Sequence, residues 1–149
     1  MRTSWEECLP TGWEPFDEEH RGMVRCLGEI LSAVNANDAP RACASVQELL
    51  RVAGEHFAHE ERMMRANAYP QLSRHKEAHD LYLADVAEFA AQVASKGLTR
   101  EFRSWSTGRV LEWFRFHVSA NDVALGAFLV ARQRACQLSD GGAEVPKAR

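Results

Sequence analysis

The sequence predicts an all-α protein, an up-down-up-down antiparallel four-helix bundle with an extended N-terminal arm and a short C-terminal helix. No sustained alternation of apolar and polar residues, the pattern of a half-buried strand, occurs along the chain. Apolar residues instead recur at three- and four-residue spacing, as on the buried face of a helix. Turn residues divide this pattern into four long segments with short connectors, which favour antiparallel neighbours.

The helix boundaries follow from capping residues and breakers. Asp17 is a type of residue that caps helix N-termini, and Glu19 would then lie in the first turn, where the helix dipole favours acids. The turn residues 35–38 end this helix, and Pro40 suits the first turn of a second helix, which runs to about Ala66.

The remaining helices are bounded in the same way. Pro70 can open a third helix, which ends at Lys96-Gly97. Thr99 can cap a fourth, which is rich in aromatic residues. The stretch after Asp122 is helical again, either as a continuation or as a short fifth piece.

Length and composition predict one domain. We expect it to span residues 1–138, with an arm at 1–16 that packs across the bundle and a flexible tail at 139–149. A formal net charge of −3 provides no basic field for nucleic acid or an anionic membrane, and no apolar stretch approaches the ~18 residues of a membrane span. The N-terminus lacks the apolar core of a signal peptide, and the four cysteines form no CxxC pair, so we expect a cytoplasmic, reduced protein.

One ordered set of histidines and carboxylates stands out from this background. Imidazole suits iron, copper, zinc and nickel, and a carboxylate can bridge two hard cations. One metal rarely needs seven protein ligands, so the count predicts two metals. We expect a di-iron site, although manganese and zinc accept the same ligands. The candidate ligands are His20, His56, Glu60, His75, His79, His117 and Asp122.

The spacings decide which of these ligands share a helix face. Residues four apart differ by only ~40° around a helix, so His56 with Glu60, and His75 with His79, can each aim at one point. His117 and the aspartate that follows it are five apart, about 140° on a regular helix. They can serve one centre only if Asp122 reaches round or the helix is distorted near residues 119–121.

The balance of ligands predicts the kind of chemistry. Ferritin-like di-iron sites use four glutamates and two Glu-x-x-His motifs, whereas here histidine outnumbers carboxylate five to two. A carboxylate-poor site stabilises the reduced metals, so we expect reversible O2 binding rather than O2 cleavage.

These residues resemble the hemerythrins, specifically the bacterial single-domain group. The resemblance covers roughly residues 5–129. It includes Trp5, Thr11-Gly12, Asp17-x-x-His20, His56-Phe57-x-x-Glu60-Glu61-x-x-Met64, Tyr69-Pro70, His75-x-x-x-His79 and Trp113-x-x-x-His117-x-x-x-x-Asp122.

The resemblance implies a role for each ligand. His75, His79 and His117 would bind one iron, and His20 and His56 the other. Glu60 and Asp122 would bridge the two, together with an oxo or hydroxo group. The iron with two histidines would keep an open position for O2. Trp113 would line the O2 pocket, and Phe114 and Phe116 are expected to crowd the approach to His117.

Several alternatives stay open at this stage. His59 precedes Glu60 and should point away from His56, so we expect a surface or supporting residue. Glu61 is expected to be the same kind of residue, because only Glu60 lies four residues from His56. The leading function is an O2 carrier, store or sensor without catalytic turnover. The alternatives are a di-iron oxidase, peroxidase or nitric-oxide-reducing enzyme, or a signalling module that contacts a partner protein. The sequence leaves the oligomeric state, the O2 affinity and the roles of Cys8, Cys26, Cys43 and Cys136 open.

Overall fold

The computed structural model describes residues 10–141, which are mainly helical and contain no strand. The fold is the expected four-helix bundle, and its fourth member is a composite of four consecutive segments. The helices are α1 (Glu14–Asn35), α2 (Ala39–Ala66), α3 (Leu72–Lys96), α4 (Arg100–Thr107), α5 (Arg109–His117), a π-helical turn (Val118–Asp122) and α6 (Val123–Gly141).

Most of the predicted N-terminal arm and most of the predicted C-terminal tail lie beyond this range. Residues 1–9, which are most of the predicted arm, and residues 142–149 of the predicted tail lie outside the described residues. Within residues 10–141, every helix is too short or too polar to cross a membrane.

Contacts at the two ends of the bundle show that α1 and the composite fourth helix are antiparallel. At one end, Arg103 early in α4 donates to the Val34 carbonyl near the end of α1, at 3.2 Å. At the other end, His20 near the start of α1 lies 3.0 Å from Asp122. The predicted ligands therefore converge from the start of α1, the end of α2, the start of α3 and the end of α5.

Two helix starts differ from the prediction. α1 begins at Glu14 rather than Asp17, because Trp13 is extended and Pro15 occupies the first turn. Asp17 instead accepts hydrogen bonds from the backbone N–H (2.8 Å) and hydroxyl (2.7 Å) of Thr11. α3 begins at Leu72, after Pro70 and one further turn residue.

The other predicted boundaries are confirmed. Pro40 lies in the first turn of α2, whose N-cap Asp38 accepts from the backbone N–H of Arg41 at 3.0 Å. The Thr99 hydroxyl caps α4 by accepting from the Phe102 N–H at 3.1 Å. α3 ends at Lys96 and is capped by Gly97, whose φ of +72° is a left-handed value that glycine adopts without strain.

The fourth helix is interrupted once and then continues. Gly108 separates α4 from α5 with φ −133° and ψ −89°, outside the helical region, and glycine has a low helix propensity. α6 follows the π turn directly, so the region after Asp122 is a continuation of the fourth helix.

The described part of the N-terminal arm packs against α6. A methyl group added at Gly126 would lie only 2.2 Å from the Thr11 carbonyl oxygen, so the two backbones are in direct contact. Only glycine permits so close an approach. This contact, with the Thr11–Asp17 hydrogen bonds, holds residues 10–13 across the end of the bundle.

Two apolar clusters border the predicted site. The larger one fills the bundle and includes Phe57, Tyr82 and Phe114, and the smaller one lies near the arm and contains Phe16, Met64, Leu125 and Leu129. Each fully buried apolar side chain contributes roughly 1.5–3 kcal/mol to folding. These clusters stabilise the helix ends that carry the polar site residues.

Candidate metal centre

The seven predicted ligands come together in the interior. All seven are at most 3% exposed, and they form two groups whose donor atoms lie within 4.8 Å of one another. One group has three histidines and the other has two, and both contain Glu60 and Asp122. The groups are Glu60, His75, His79, His117 and Asp122, and His20, His56, Glu60 and Asp122.

The π turn brings Asp122 onto the same face as His117. In this turn the Val123 N–H donates to the Val118 carbonyl, five residues earlier, rather than to a residue four earlier. Five residues therefore make about one turn, and Asp122 Oδ1 lies 3.0 Å from His117 Nε2. Of the two alternatives that the sequence left open for Asp122, the structure shows a helix distortion, which covers residues 118–122.

Each shared carboxylate divides its two oxygens between the groups. Asp122 Oδ1 lies 3.0 Å from Nε2 of both His75 and His117, while Oδ2 lies 3.0 Å from Nε2 of His20. Glu60 Oε2 lies 2.9 Å from His79 Nε2, and Oε1 lies 3.4 Å from His56 Nε2. Each carboxylate thus faces both groups at once.

The histidine Nε2 atoms and the carboxylate oxygens of the cluster are better suited to binding a metal than to hydrogen bonding with one another. None of these Nε2 and carboxylate atoms makes a hydrogen bond of acceptable geometry within the described residues, although all are buried. Buried polar atoms without partners are costly, and a shared cation would satisfy them. With metal–ligand bonds of about 2.1 Å, ligands at right angles lie about 3.0 Å apart, close to the spacing of these donors.

Three of the histidines make a polar contact through Nδ1, the ring nitrogen that faces away from the cluster. His56 Nδ1 lies 2.6 Å from Glu19, His79 Nδ1 lies 3.3 Å from Glu61, and His117 Nδ1 lies 2.9 Å from the Asn121 amide. A carboxylate can only accept, so Nδ1 of His56 and His79 carries a hydrogen, which leaves Nε2 as the atom that can bind a metal.

The pKa values of the cluster show that its buried carboxylates are stabilised by nearby positive charge. Burial and the Asp122 charge act to raise the pKa of Glu60, but His56 and His75 outweigh them and hold it below its ordinary range. Burial would lower the pKa of both these histidines. The carboxylates of Glu60, Glu19 and Asp122 outweigh burial at His56 and raise its pKa to about 10, and those of Asp122 and Glu60 raise the pKa of His75 to about 9. A metal cation would replace these protons as the counter-charge.

Burial has the opposite outcome at His79. It lowers the pKa of this imidazole despite the contact with Glu60, and the neighbouring His117 and His75 act in the same direction. His79 is therefore ready to donate a lone pair without first losing a proton.

Aromatic rings form the walls of the cluster. Phe57 stacks on His79 with ring centroids 3.9 Å apart, and Trp113 stacks on His117 at 4.4 Å. Trp113 therefore borders the three-histidine group, and it also stacks on Tyr82 at 4.1 Å.

The expectation for the two phenylalanines beside His117 is wrong. Phe114 is buried but lies edge-on to His20, 5.8 Å between centroids, on the two-histidine side. Phe116 is 70% exposed and lines an open groove of about 540 Å³ that reaches His75. The helix rotation that aims His117 inward turns the residue before it outward.

Glu19 and Asn121 are contacts that sequence reasoning missed. The sequence indicates Glu19 only as an acid in a first helical turn, because its partners lie on another helix and no spacing within α1 points to them. Asn121 is four residues from His117, and that i, i+4 spacing is a signal that could have found it. Glu61 and His59 have the supporting positions expected of them, at 13% and 25% side-chain exposure.

Comparison with known proteins agrees with this geometry. The family described as hemerythrin HHE cation binding domain matches residues 11–127. A myohemerythrin of Theromyzon tessulatum is 24% identical over 118 residues, 79% of this chain and 86% of the relative. A bacteriohemerythrin of Stenotrophomonas maltophilia is 25% identical over 121 residues, 80% of this chain and 76% of the relative.

The match spans all seven residues of the cluster. Hemerythrins bind O2 at a non-heme di-iron centre, and the histidine–carboxylate cluster fits such a metal site. The chain belongs to the hemerythrin family.

Proposed function

We propose that this protein binds O2 reversibly at a di-iron centre, as a carrier, store or sensor. The observation that carries the proposal is the pair of buried donor groups that share Glu60 and Asp122. A single metal would leave about half of these donors unused. Two metals use them all, and the shared carboxylates compensate the positive charge of both.

The ligand roles follow the two groups. His75, His79 and His117 would hold one iron, and His20 and His56 would hold the other. Glu60 and Asp122 would serve both irons, a role supported by the division of their oxygens between the two groups. The chain thus offers five donors to one iron and four to the other, which leaves more room for an added ligand on the two-histidine side.

When bound, the two irons supply the electrons that O2 accepts on binding and returns on release. The protein residues keep the surroundings dry. Phe16 lies edge-on to His56 at 5.9 Å, and Phe114 lies edge-on to His20 at 5.8 Å. These two rings exclude water from the two-histidine side. On the three-histidine side, Trp113 stacks on the His117 ring.

We also propose a cytoplasmic protein. Cys26, Cys43 and Cys136 are free thiols, which suits a reducing compartment. Of the possible partners, only O2 has support in the cluster.

Reconstitution tests the proposal. Metal-free protein is loaded with Fe(II) under anaerobic conditions, exposed to air, and followed by visible absorption with metal analysis. We expect two irons per chain and a long-lived absorption band that disappears under vacuum. Two irons with immediate, irreversible oxidation would favour the redox-enzyme alternative. Failure to bind iron would contradict the proposal.

A further inference from the structure

Glu19 connects two histidines of α2 through one carboxylate. Its Oε2 lies 2.6 Å from His56 Nδ1, and its Oε1 lies 2.8 Å from His59 Nδ1. The side chain of Glu19 is 34% exposed and that of His59 is 25% exposed, whereas His56 is almost fully buried. The three side chains therefore form a connected set that runs from the surface to the predicted metal ligand.

The two sides of the cluster are supported unequally. On the three-histidine side, His79 contacts Glu61 and His117 contacts Asn121. On the two-histidine side, His20 Nδ1 is buried and makes no hydrogen bond within the described residues. Glu19 therefore provides the one polar Nδ1 contact that residues 10–141 give to that side.

We propose that Glu19 is the positioning residue for the metal held by His20 and His56, and that His59 holds the Glu19 carboxylate in place. This inference rests on the proposed di-iron function. A carboxylate behind a metal-binding imidazole fixes the ring orientation and the tautomer, and it makes the ligand a stronger donor.

His59 has a part because a partly exposed glutamate has several rotamers. With one oxygen on each imidazole, the carboxylate is held at both ends. Phe16 packs edge-on against both rings, with centroids 5.9 Å from His56 and 5.1 Å from His59, and so restricts them further. The outer histidine thus contributes to the inner one without touching the metal.

The substitution Glu19→Gln tests the proposal. Glutamine keeps the length of the side chain but removes the charge, and its amide has one acceptor oxygen for two imidazoles. The matched control is Glu18→Gln, which removes an exposed charge from the adjacent position of α1. Glu61→Gln makes the equivalent change on the three-histidine side.

The first readout is the rate at which a chelator removes iron from protein loaded with Fe(II). In Glu19→Gln we expect one of the two irons to leave about 10–100-fold faster than from the wild type, the usual cost of losing such a contact. Glu18→Gln should behave as the wild type. His59→Ala should retain two irons, with a smaller acceleration in the same direction.

The second readout is the proton NMR spectrum of the loaded protein, in which imidazole N–H protons near the metals are strongly shifted and exchange with water. One such signal should move and exchange faster in Glu19→Gln but not in Glu18→Gln. If Glu19 contributed only to helix stability, this N–H signal would be the same in Glu19→Gln as in the wild type. If Glu19→Gln does not fold, Glu19→Asp keeps the charge on a shorter arm and should give an intermediate effect.

The outcomes separate the two proposals. If the wild type binds no iron, the proposed function fails and this inference fails with it. If the wild type binds two irons but Glu19→Gln shows the same iron-removal rates and the same N–H signals, the role of Glu19 is overturned and the proposed function is not affected. Equal effects in Glu18→Gln and Glu19→Gln would also overturn it, since they would indicate a general charge effect.

Discussion

His117 and Asp122 are five residues apart, yet Nε2 of the histidine lies 3.0 Å from Oδ1 of the aspartate. A regular helix would separate them by about 140°. The π turn removes most of that angle, and it lies entirely between Val118 and Asp122. Such turns commonly mark functional sites in helices.

Iron binding should therefore tolerate a shorter turn but not a longer one. Deleting Ala120 leaves His117 and the aspartate four apart, a spacing at which a regular helix aligns them, so we expect two irons per chain. Inserting one alanine after Ala120 makes them six apart, about 120° from each other on a regular helix, and one more residue than the present π turn accommodates. Iron binding should then fall to one per chain or none. Metal analysis of both variants decides, and full iron content in the insertion variant would contradict the account.

Loss of either shared carboxylate should abolish the dinuclear centre. Glu60→Ala or Asp122→Ala removes both oxygens that face the two donor groups. We expect the iron content to fall from two per chain to one or less, while His59→Ala should stay nearly unchanged. Two irons retained in Glu60→Ala, measured by metal analysis, would refute the ligand assignment.

The stability of the metal-free protein should depend on pH in a defined direction. The pKa values of His56 and His75, about 10 and about 9, lie above the ordinary 6.5. The folded state therefore binds more protons than the unfolded chain in this range, and the resulting stability is complete below about pH 6.5 and lost as the pH rises through about 9–10. Urea midpoints measured at roughly pH 6.5, 8 and 9.5 should decrease in that order, and constant midpoints would contradict the raised pKa values.

Metal binding should show the opposite trend over the same range. Because binding requires bare Nε2 atoms, affinity should rise with pH, and Fe(II) uptake near neutral pH should release protons. Titration in weakly buffered solution measures that release, and uptake without any proton release would contradict the protonation described for His56 and His75.

The contact between the arm and α6 should make Gly126 sensitive to a single methyl group. In Gly126→Ala the new methyl would lie 2.2 Å from the Thr11 carbonyl oxygen, so the arm must move, at a cost of about 1–3 kcal/mol. Gly54→Ala is the matched control, because no atom lies within 4 Å of its new methyl. It should stabilise α2 by about 0.5–1 kcal/mol. Urea unfolding measures both, and equal effects would argue against the close contact.

The free cysteines should differ in reactivity. Burial raises the pKa of Cys26, so less of it is thiolate near pH 8, whereas Cys136 is exposed on α6. We expect alkylation of Cys26 to be about 10-fold slower or more. Mass spectrometry of peptides after timed iodoacetamide treatment measures the order, and faster labelling of Cys26 would contradict it.

The sequence alone was sufficient for the helical class, for most helix ends and for the seven candidate ligands. These features depend on local chemistry: caps such as Thr99, breakers such as Gly97, and pairs four residues apart such as His75 and His79. Local rules were weaker where a residue had two possible roles. Asp17 has the chemistry of a cap, but the start of α1 depends on Pro15, and its carboxylate binds Thr11 instead.

The tertiary structure decided what depends on the register between helices. Only packing shows that Glu19 of α1 reaches His56 and His59 of α2, or that Gly126 touches Thr11. The alternative that Asp122 follows was also decided there. A regular helix is the ordinary continuation and π turns are rare, so only the structure shows the turn at residues 118–122. The sequence by itself determined which atoms can bind metal, and the packing of four helices determined that they meet.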